Sequence, residues 1–594
     1  MRRNVLAAIA CVLIVVLFGF HLIVPTDPGV TRLDEVSGSD SLVVLIHGLA
    51  GPDSLAALKR VVRADFQNSD IMTATFAPSS FANINPYRVA NTLEEGIHKA
   101  FEAKHYKSIV LVGHSLGAVL LRKALVWAHG AEEDRGDFSV HGRRAWPDKV
   151  TRFVSLAGIN RGWSLDPLPA NMSYPTYIVA YLGEWIAYIT GTGGLLFETE
   201  RGSPFIADLR VQWIKMARQD IAGGKAQLPL SIHLLGDIDD VVSREDSQDL
   251  AASKDARFIT LPNTSHAGIV TELEKGSEAS ERIQIIRAAL TQPEEKIPFD
   301  KLPLQDENPE IRKIIYILHG IRDYGTWADA LRNEIEKVKS ADTVVTPSKY
   351  GYFPMIPFIL YSDRQKNVHQ FMDEYTENLA RFPNATQADF VGHSNGTYIL
   401  ASALQRYSTL YVNNVLFAGS VVPIRYPWRQ LVEAKRVSRI YNLVATSDWV
   451  VALFPRFIEQ IAEWRGETSV KGAFDIGSAG FRGFKDSGRP DPDHRIVDAK
   501  FVSGNHSSAF DLRDSAKLQA VVQFAISADD RQLMALATSG SPDSFLDQLS
   551  NVSWVVWLLL ACLLLGVGYV VKSFLGWRGL AIYGVILVAA LYSY

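Results

Sequence analysis

With 594 residues the chain is long enough for several domain-sized pieces, fewer if these are large α/β units. A formal net charge of −4 and a pI near 6.4 offer no basic face for nucleic acid. The only two cysteines, Cys11 and Cys562, lie in the most apolar stretches, which excludes a disulfide framework or a cysteine zinc site in the polar part of the chain. There is no His-Glu-x-x-His, no Gly-x-x-x-x-Gly-Lys-Ser/Thr and no Gly-x-Gly-x-x-Gly after a strand, so no metal, nucleotide or flavin cofactor is expected.

The chain opens on Arg2 and Arg3, followed by Val5 to Val24, twenty residues without a formal charge. At 1.5 Å per residue that is about 30 Å, one bilayer core. Residues 1–25 read as an uncleaved membrane anchor, with a cleaved signal peptide as the alternative; no small-x-small cleavage site follows. The two arginines would hold the N-terminus in the cytoplasm and send the rest across.

After a polar linker to Asp40, residues 40–291 alternate strands and helices, the signature of a parallel sheet. A buried strand from Ser41 ends in His47-Gly48. Helix, strand and helix follow, and then the stretch Ser108–Lys123. That stretch begins as a buried strand, turns at Gly113-His114-Ser115-Leu116-Gly117, and leaves as an apolar helix. A turn tight enough to expose a serine hydroxyl leaves no room for side chains two residues either side, which accounts for the glycines. Downstream, a strand ends in Gly236-Asp-Ile-Asp-Asp-Val-Val242, and the next delivers Asn263-Thr-Ser-His266. Between them and the strand Val150–Gly158 lies an insertion at about 160–215. It carries Tyr174, Tyr177, Tyr181, Trp185, Tyr188, Phe197, Phe205 and Trp213.

This arrangement resembles the α/β-hydrolase superfamily, in particular its lipase- and esterase-like members. The resemblance implies Ser115 as nucleophile and His266 as its base. Aligned on the family's Gly-x-x-Asp-x-x-Val turn, the acid is Asp239, with Asp237 and Asp240 as the neighbours that could be mistaken for it. The N–H groups of Leu49 and Leu116 would form the oxyanion hole. The aromatic insertion stands where the family places a cap. It suits an acyl chain or a membrane-surface substrate, or else packs as an ordinary cap helix on the core.

Residues 292–311 are charged and punctuated by proline, a linker, and the pattern then restarts over 312–530. A strand ends in His319-Gly320, a second elbow is built on Gly392, Ser394 and Gly396, and a strand ends in Asp448. The last strand delivers His506. By the same resemblance Ser394, Asp448 and His506 form a second set, with Ile321 and Asn395 supplying its oxyanion N–H groups. No large cap precedes this acid; the extra sequence follows it, from Phe454 to Arg495. Tyr350–Tyr361 either lines this site or packs beside it.

Residues 552–594 read as a transmembrane hairpin: Ser553–Val571, a turn bearing Lys572 and Arg578, and a shorter apolar run to the C-terminus. Arg2, Arg3, Lys572 and Arg578 then fall on one side, with the hydrolase domains outside the cytoplasm. The expected fold class is α/β, with two tandem α/β-hydrolase domains and terminal transmembrane helices. The expected function is that of a membrane-anchored serine hydrolase cleaving carboxylic esters, small-molecule or lipid, without a cofactor. The alternatives are an acyltransferase or peptidase on the same triad, and a membrane-held binding protein with inactive hydrolase folds.

Overall fold

The computed structural model describes residues 24–593 except 78, 132–141, 166–170, 219–227, 250–255, 274–278, 302–306, 349, 467–474, 489–494, 512–513 and 538–541. The expected N-terminal anchor, Cys11 included, thus lies outside the described residues but for its last two. The chain divides into two compact units. The first runs to Asp306 and takes in Met372–Arg381 and Tyr407–Thr409. The second comprises Glu307–Phe371, Phe382–Arg406 and the chain from Leu410 onward.

The first unit holds a seven-stranded sheet: β1 (Val30–Asp34), β2 (Ser41–Ile46), β3 (Asp70–Thr75), β4 (Ser108–His114), β5 (Val150–Leu156), β6 (Leu230–Gly236) and β7 (Arg257–Leu261). Their order is β1-β3-β2-β4-β5-β6-β7; β1 runs antiparallel to β3, and every other pair is parallel. The strands are apolar on both faces because both are covered. Leu42, Val44 and Ile46 of β2 enter one core, and Val43 and Leu45 the other. Helices α1 (Ala56–Asp65), α2 (Pro86–Lys104), α3 (Leu116–Ala128) and α6 (Ala279–Thr291) flank the sheet, with α4 (Tyr174–Thr190) and α5 (Pro204–Ala217) in the insertion. Helix α2 starts at an Asn-Pro signal: Asn85 caps it by accepting from the Tyr87 N–H at 2.9 Å, and Pro86 needs no partner for a nitrogen that carries no hydrogen.

The residues before Asp40 differ from a bare linker, since they carry β1. Its side chains give little signal, Val30 being exposed, and it is held instead by main-chain pairing and by Asp70. The buried Asp70 carboxylate accepts from the Val36 N–H at 2.7 Å, from Lys104 Nζ at 2.7 Å and from the Tyr106 hydroxyl at 2.6 Å. Likewise the start of the second linker packs on the first unit. Ile297 is buried in its core, and the Asp300 N–H donates to the Phe258 carbonyl at 2.8 Å.

The second unit holds a six-stranded, all-parallel sheet: β8 (Lys313–Leu318), β9 (Thr343–Pro347), β10 (Gln387–His393), β11 (Val412–Ala418), β12 (Val437–Ala445) and β13 (Ile496–Val502), in the order β13-β12-β11-β10-β8-β9. Its helices include α7 (Thr326–Glu336), α8 (Met355–Ile359), α9 (Tyr361–Arg381), α10 (Asn395–Arg406), α11 (Trp449–Trp464), α12 (Ser515–Ser527), α13 (Ser544–Asn551) and α14 (Ser553–Ser593). Of α9, residues from Met372 onward count with the first unit.

Helix α14 is long and apolar enough, by length and composition, to cross a membrane over Ser553–Leu591. It breaks at Gly576, whose φ of 64° lies outside the helical region. The break falls within the expected polar turn, and the second arm folds back along the first. The Tyr583 hydroxyl donates to the Leu564 carbonyl at 3.1 Å.

Candidate active site

Strand β4 ends at His114 and helix α3 starts at Leu116, so the whole reversal rests on Ser115. Its φ of 53° and ψ of −124° are a conformation that side-chain-bearing residues rarely hold and that a strand-to-helix elbow imposes. The surroundings enforce it. A Cβ on Gly117 would lie 2.7 Å from the His47 carbonyl oxygen, and one on Gly48 would lie 2.6 Å from Ser115 Cβ. Thus the His47-Gly48 turn is pressed against Ser115. Burial lowers the pKa of His47, which stays neutral with its Nδ1–H donating to the Gly48 carbonyl at 2.6 Å. Its Nε2 accepts from the Phe76 N–H at 3.2 Å, and the Phe76 ring stacks on it at 4.4 Å.

Three side chains converge above the C-terminal edge of the first sheet. Ser115 Oγ donates to His266 Nε2 at 3.0 Å, and His266 Nδ1–H donates to Asp239 Oδ2 at 3.0 Å. The other carboxylate oxygen of Asp239 accepts from the N–H groups of Val241 and Val242 at 3.0 and 2.8 Å, so a buried acid is fully engaged and aimed. This separates Asp239 from its neighbours. Asp237 is exposed and accepts from the Thr264 N–H, and Asp240 points to solvent. Leu116 is the first residue of α3, so its N–H has no partner within that helix, and Leu49 follows the pressed turn. Every residue of α3 is buried, and the positive end of its dipole faces the serine.

The second unit repeats the frame. Ser394 has a φ of 51°, and a Cβ on Gly320 would lie 2.8 Å from Ser394 Cβ. His506 Nδ1–H donates to Asp448 Oδ2 at 2.9 Å, while Asp448 Oδ1 accepts from the Val451 N–H at 3.0 Å and so caps α11. One bond of the first set is absent from the second: among the described residues no hydrogen bond joins Ser394 to His506. Ile321 follows the His-Gly turn and Asn395 begins α10, the places that Leu49 and Leu116 hold in the first unit. The Asn395 Oδ1 is buried without a partner. Tyr350 stacks on His319 at 4.1 Å, where the first unit has a phenylalanine. Its hydroxyl donates to the carbonyls of His319 and Gly320, and burial raises its pKa.

Two residues at the sites escaped the sequence reading. His114 and His393, the variable residues inside the two elbows, are buried, and their Nε2–H groups donate to the backbone carbonyls of His266 and His506 at 3.1 and 3.0 Å. Burial pushes both down to about 3, with the neighbouring His266 and His506 adding to the effect, so both stay neutral beside those imidazoles. The signal was the same residue at the same place in both elbows.

Residues 41–179, from β2 into α4, match the family model described as Lipase (class 2). This match supports a lipase- and esterase-like α/β-hydrolase fold for that part of the chain. Solved structures to which it is similar include a monoacylglycerol lipase from Paleococcus ferrophilus, at 11% identity over 44% of this chain and 98% of that one, with a TM-score of 0.28. An esterase from Exiguobacterium antarcticum matches at 11% over 44% and 96%, TM-score 0.28. A carboxyl esterase from the mycorrhizal fungus Tuber melanosporum matches at 12% over 44% and 82%, TM-score 0.30. A comparison with curated proteins finds no match.

The aromatic insertion of the first unit divides in two. Phe205 and Trp213 on α5 are buried and belong to the core. In contrast, α4 exposes Tyr174, Tyr181, Trp185, Tyr188 and the apolar residues between them, burying only Ala187. Helix α4 is tethered near both ends. Asn171 Nδ2 donates to the carbonyls of Asp237 and Asp239, both at 3.1 Å, and Asn83 Nδ2 donates to the Gly191 carbonyl at 3.1 Å.

Proposed function

We propose that this protein is a membrane-anchored serine hydrolase that cleaves carboxylic esters. The observation that carries the reading is the unbroken line Ser115–His266–Asp239, a hydroxyl, an imidazole and a carboxylate joined at 3.0 Å each. Serine is too weak an acid to attack an ester unaided. As Ser115 Oγ bonds to the carbonyl carbon, His266 Nε2 takes its proton, and Asp239 steadies the imidazolium through Nδ1–H. The carbonyl oxygen becomes an oxyanion held by the Leu49 and Leu116 N–H groups. Collapse expels the alcohol, which leaves with the proton from His266. Water then repeats the sequence on the acyl-serine, returning the acid and the free hydroxyl. A lipid-like ester is favoured by the exposed apolar side chains of α4 beside the acid turn, and anchoring by the apolar arms of α14 with Lys572 and Arg578 between them. The catalytic units would then lie outside the cytoplasm.

In this reading the second unit is a tandem α/β-hydrolase domain. The missing bond between Ser394 and His506 favours one further reading for it: a copy that binds rather than turns over substrate, unless substrate draws the serine in. Labelling with a fluorophosphonate, which captures only a serine activated by its histidine, tests both, with peptide mapping to locate the label. Label on Ser115 is required. Its absence from folded protein would overturn the hydrolase reading, and label on Ser394 would make the second set a working site.

A further inference from the structure

The acid of the second set sits at the head of a helix whose far side is docked on the apolar C-terminal arm. Asp448 caps α11, and along α11 the next turns meet the first turns of α14. Phe454 and Phe457 pack on Trp557 with ring centroids 5.3 and 6.2 Å apart, and Trp464 packs on Trp554 at 6.0 Å. Polar bonds fix the register: Trp557 Nε1–H donates to the Leu453 carbonyl at 3.2 Å, and Ser553 Oγ to Gln460 Oε1 at 2.7 Å. Gln460 Nε2 in turn donates to the Asn551 carbonyl at 2.8 Å. The charges within α11 pair with one another. Arg456 is buried and paired with Glu459 at 3.0 Å and with Glu463 at 3.2 Å. Beside the exposed Arg465 at the helix end, apolar side chains lie open: Trp449 is 60% exposed and Trp464 63%, and Ile359 and Leu360 at the end of α8 are also exposed, with Phe358 touching Phe454.

We propose that this face, Trp449, Trp464, Ile359 and Leu360, is seated in the surface of the lipid bilayer, so that the second catalytic set opens at the membrane and receives an ester held in it. The inference rests on the reading of α14 as a membrane arm, and continuity of contact carries it. If α14 enters the bilayer, the level at which it enters is set by Ser553, Trp554 and Trp557, before the exposed leucines at 558, 559, 560 and 563. The residues that touch Trp554 and Trp557 are those of α11, which places α11 at the interface and not in bulk water. Tryptophan, with an apolar body and a polar N–H, is the side chain favoured at that depth. Leaving these apolar side chains in water beside an inserted helix would forfeit apolar burial that lies within a few ångströms. Trp449 directly follows Asp448, so the seated face borders the second set itself.

The test uses the full chain, with Cys11 and Cys562 replaced by serine, reconstituted in phosphatidylcholine vesicles that carry a nitroxide-labelled lipid. A nitrobenzoxadiazole fluorophore is placed singly by W449C, I359C, L563C or K337C, the last at the exposed cap that follows α7. Circular dichroism checks that each variant is folded. The expected result is quenching at 449 and 359 at least about twofold above that at 337, together with quenching at 563. Quenching at 563 with 449 and 359 no different from 337 would overturn the inference and leave the membrane arm standing. No quenching at 563 would remove the arm and the inference with it. Positions 449 and 359 lie on different elements, so loss of one variant to misfolding leaves the other to decide.

Discussion

His114 contributes no atom to the proposed proton relay, yet its replacement is expected to impair it. Its Nε2–H holds the carbonyl of His266 at 3.1 Å, and the same residue presents Nε2 to Ser115 at 3.0 Å. Replacing His114 by phenylalanine keeps an aromatic ring in the buried slot and withdraws the donor. A carbonyl left without its partner costs about 1–3 kcal/mol, which the loop recovers by swinging toward water, lengthening the bond to Ser115. A barrier increase of that size corresponds to a fall in kcat of about 5- to 160-fold, with KM little changed because substrate contacts are untouched. The assay is hydrolysis of p-nitrophenyl butyrate by the full chain in a Ser394→Ala background, so that only the first site reports. His114→Gln, whose amide N–H reaches a similar point, is expected to restore most of kcat. A His114→Phe enzyme with undiminished kcat would refute the reasoning. So would a glutamine variant as slow as the phenylalanine one, since packing and not the hydrogen bond would then be what matters.

Asp239→Asn should lower kcat by about 10³- to 10⁴-fold with the fold retained, because the amide no longer favours the tautomer that accepts at Nε2. Asp237→Asn and Asp240→Asn should stay near the parent rate, and a large loss in either would reassign the acid. Gly48→Ala forces a Cβ to within 2.6 Å of Ser115 Cβ, so the turn must move and drag Leu49 with it; kcat should fall by about 100-fold or more with steady-state binding retained. His114, His233 and His393 are each pushed down to about 3, chiefly by burial, against about 6.5 when unfolded. Between those values the unfolded chain binds more protons, so stability is full above pH 6.5 and falls as pH drops toward 3, each histidine contributing up to about 1.4 kcal/mol per pH unit. Urea midpoints that stay level from pH 7 to 4.5 would contradict this.

Much of the frame is legible because it rests on local chemistry. The strand–turn–helix grammar around Ser115 and Ser394 follows from glycines that cannot be anything else, and the buried strands announce themselves as unbroken apolar runs. What stays hidden is set by contacts distant in sequence. Strand β1 has a mixed, half-exposed face and owes its place to pairing with β3 and to the Asp70 carboxylate, neither visible in its own residues. Among the three acids after Gly236, composition is silent; which one faces His266 depends on whose second oxygen is taken up by the Val241 and Val242 N–H groups. The aromatic residues of the insertion look alike in sequence, but Phe205 and Trp213 lie on a helix buried on all sides, whereas those of α4 face outward.

The two elbows show how little separates a connected hydroxyl from an isolated one. Both serines hold the same positive φ, both histidines are gripped at Nδ1 by a buried carboxylate and at the carbonyl by an elbow histidine, and both His-Gly turns press on the serine Cβ. The backbone therefore does not distinguish them. The side chains around the turn do: Phe76 stacks on His47 with nothing to donate, whereas Tyr350 stacks on His319 and places a hydroxyl on the turn carbonyls, 3.5 Å from Asn395 Nδ2. Removing that hydroxyl with Tyr350→Phe leaves the stack and frees Asn395, which begins the helix after Ser394. If Tyr350 is what sets the second site apart, fluorophosphonate labelling of Ser394 should change at least about threefold in Tyr350→Phe while labelling of Ser115 stays constant. Equal labelling of Ser394 with and without the hydroxyl would move the cause to the other side of the serine, to the loop that carries His506.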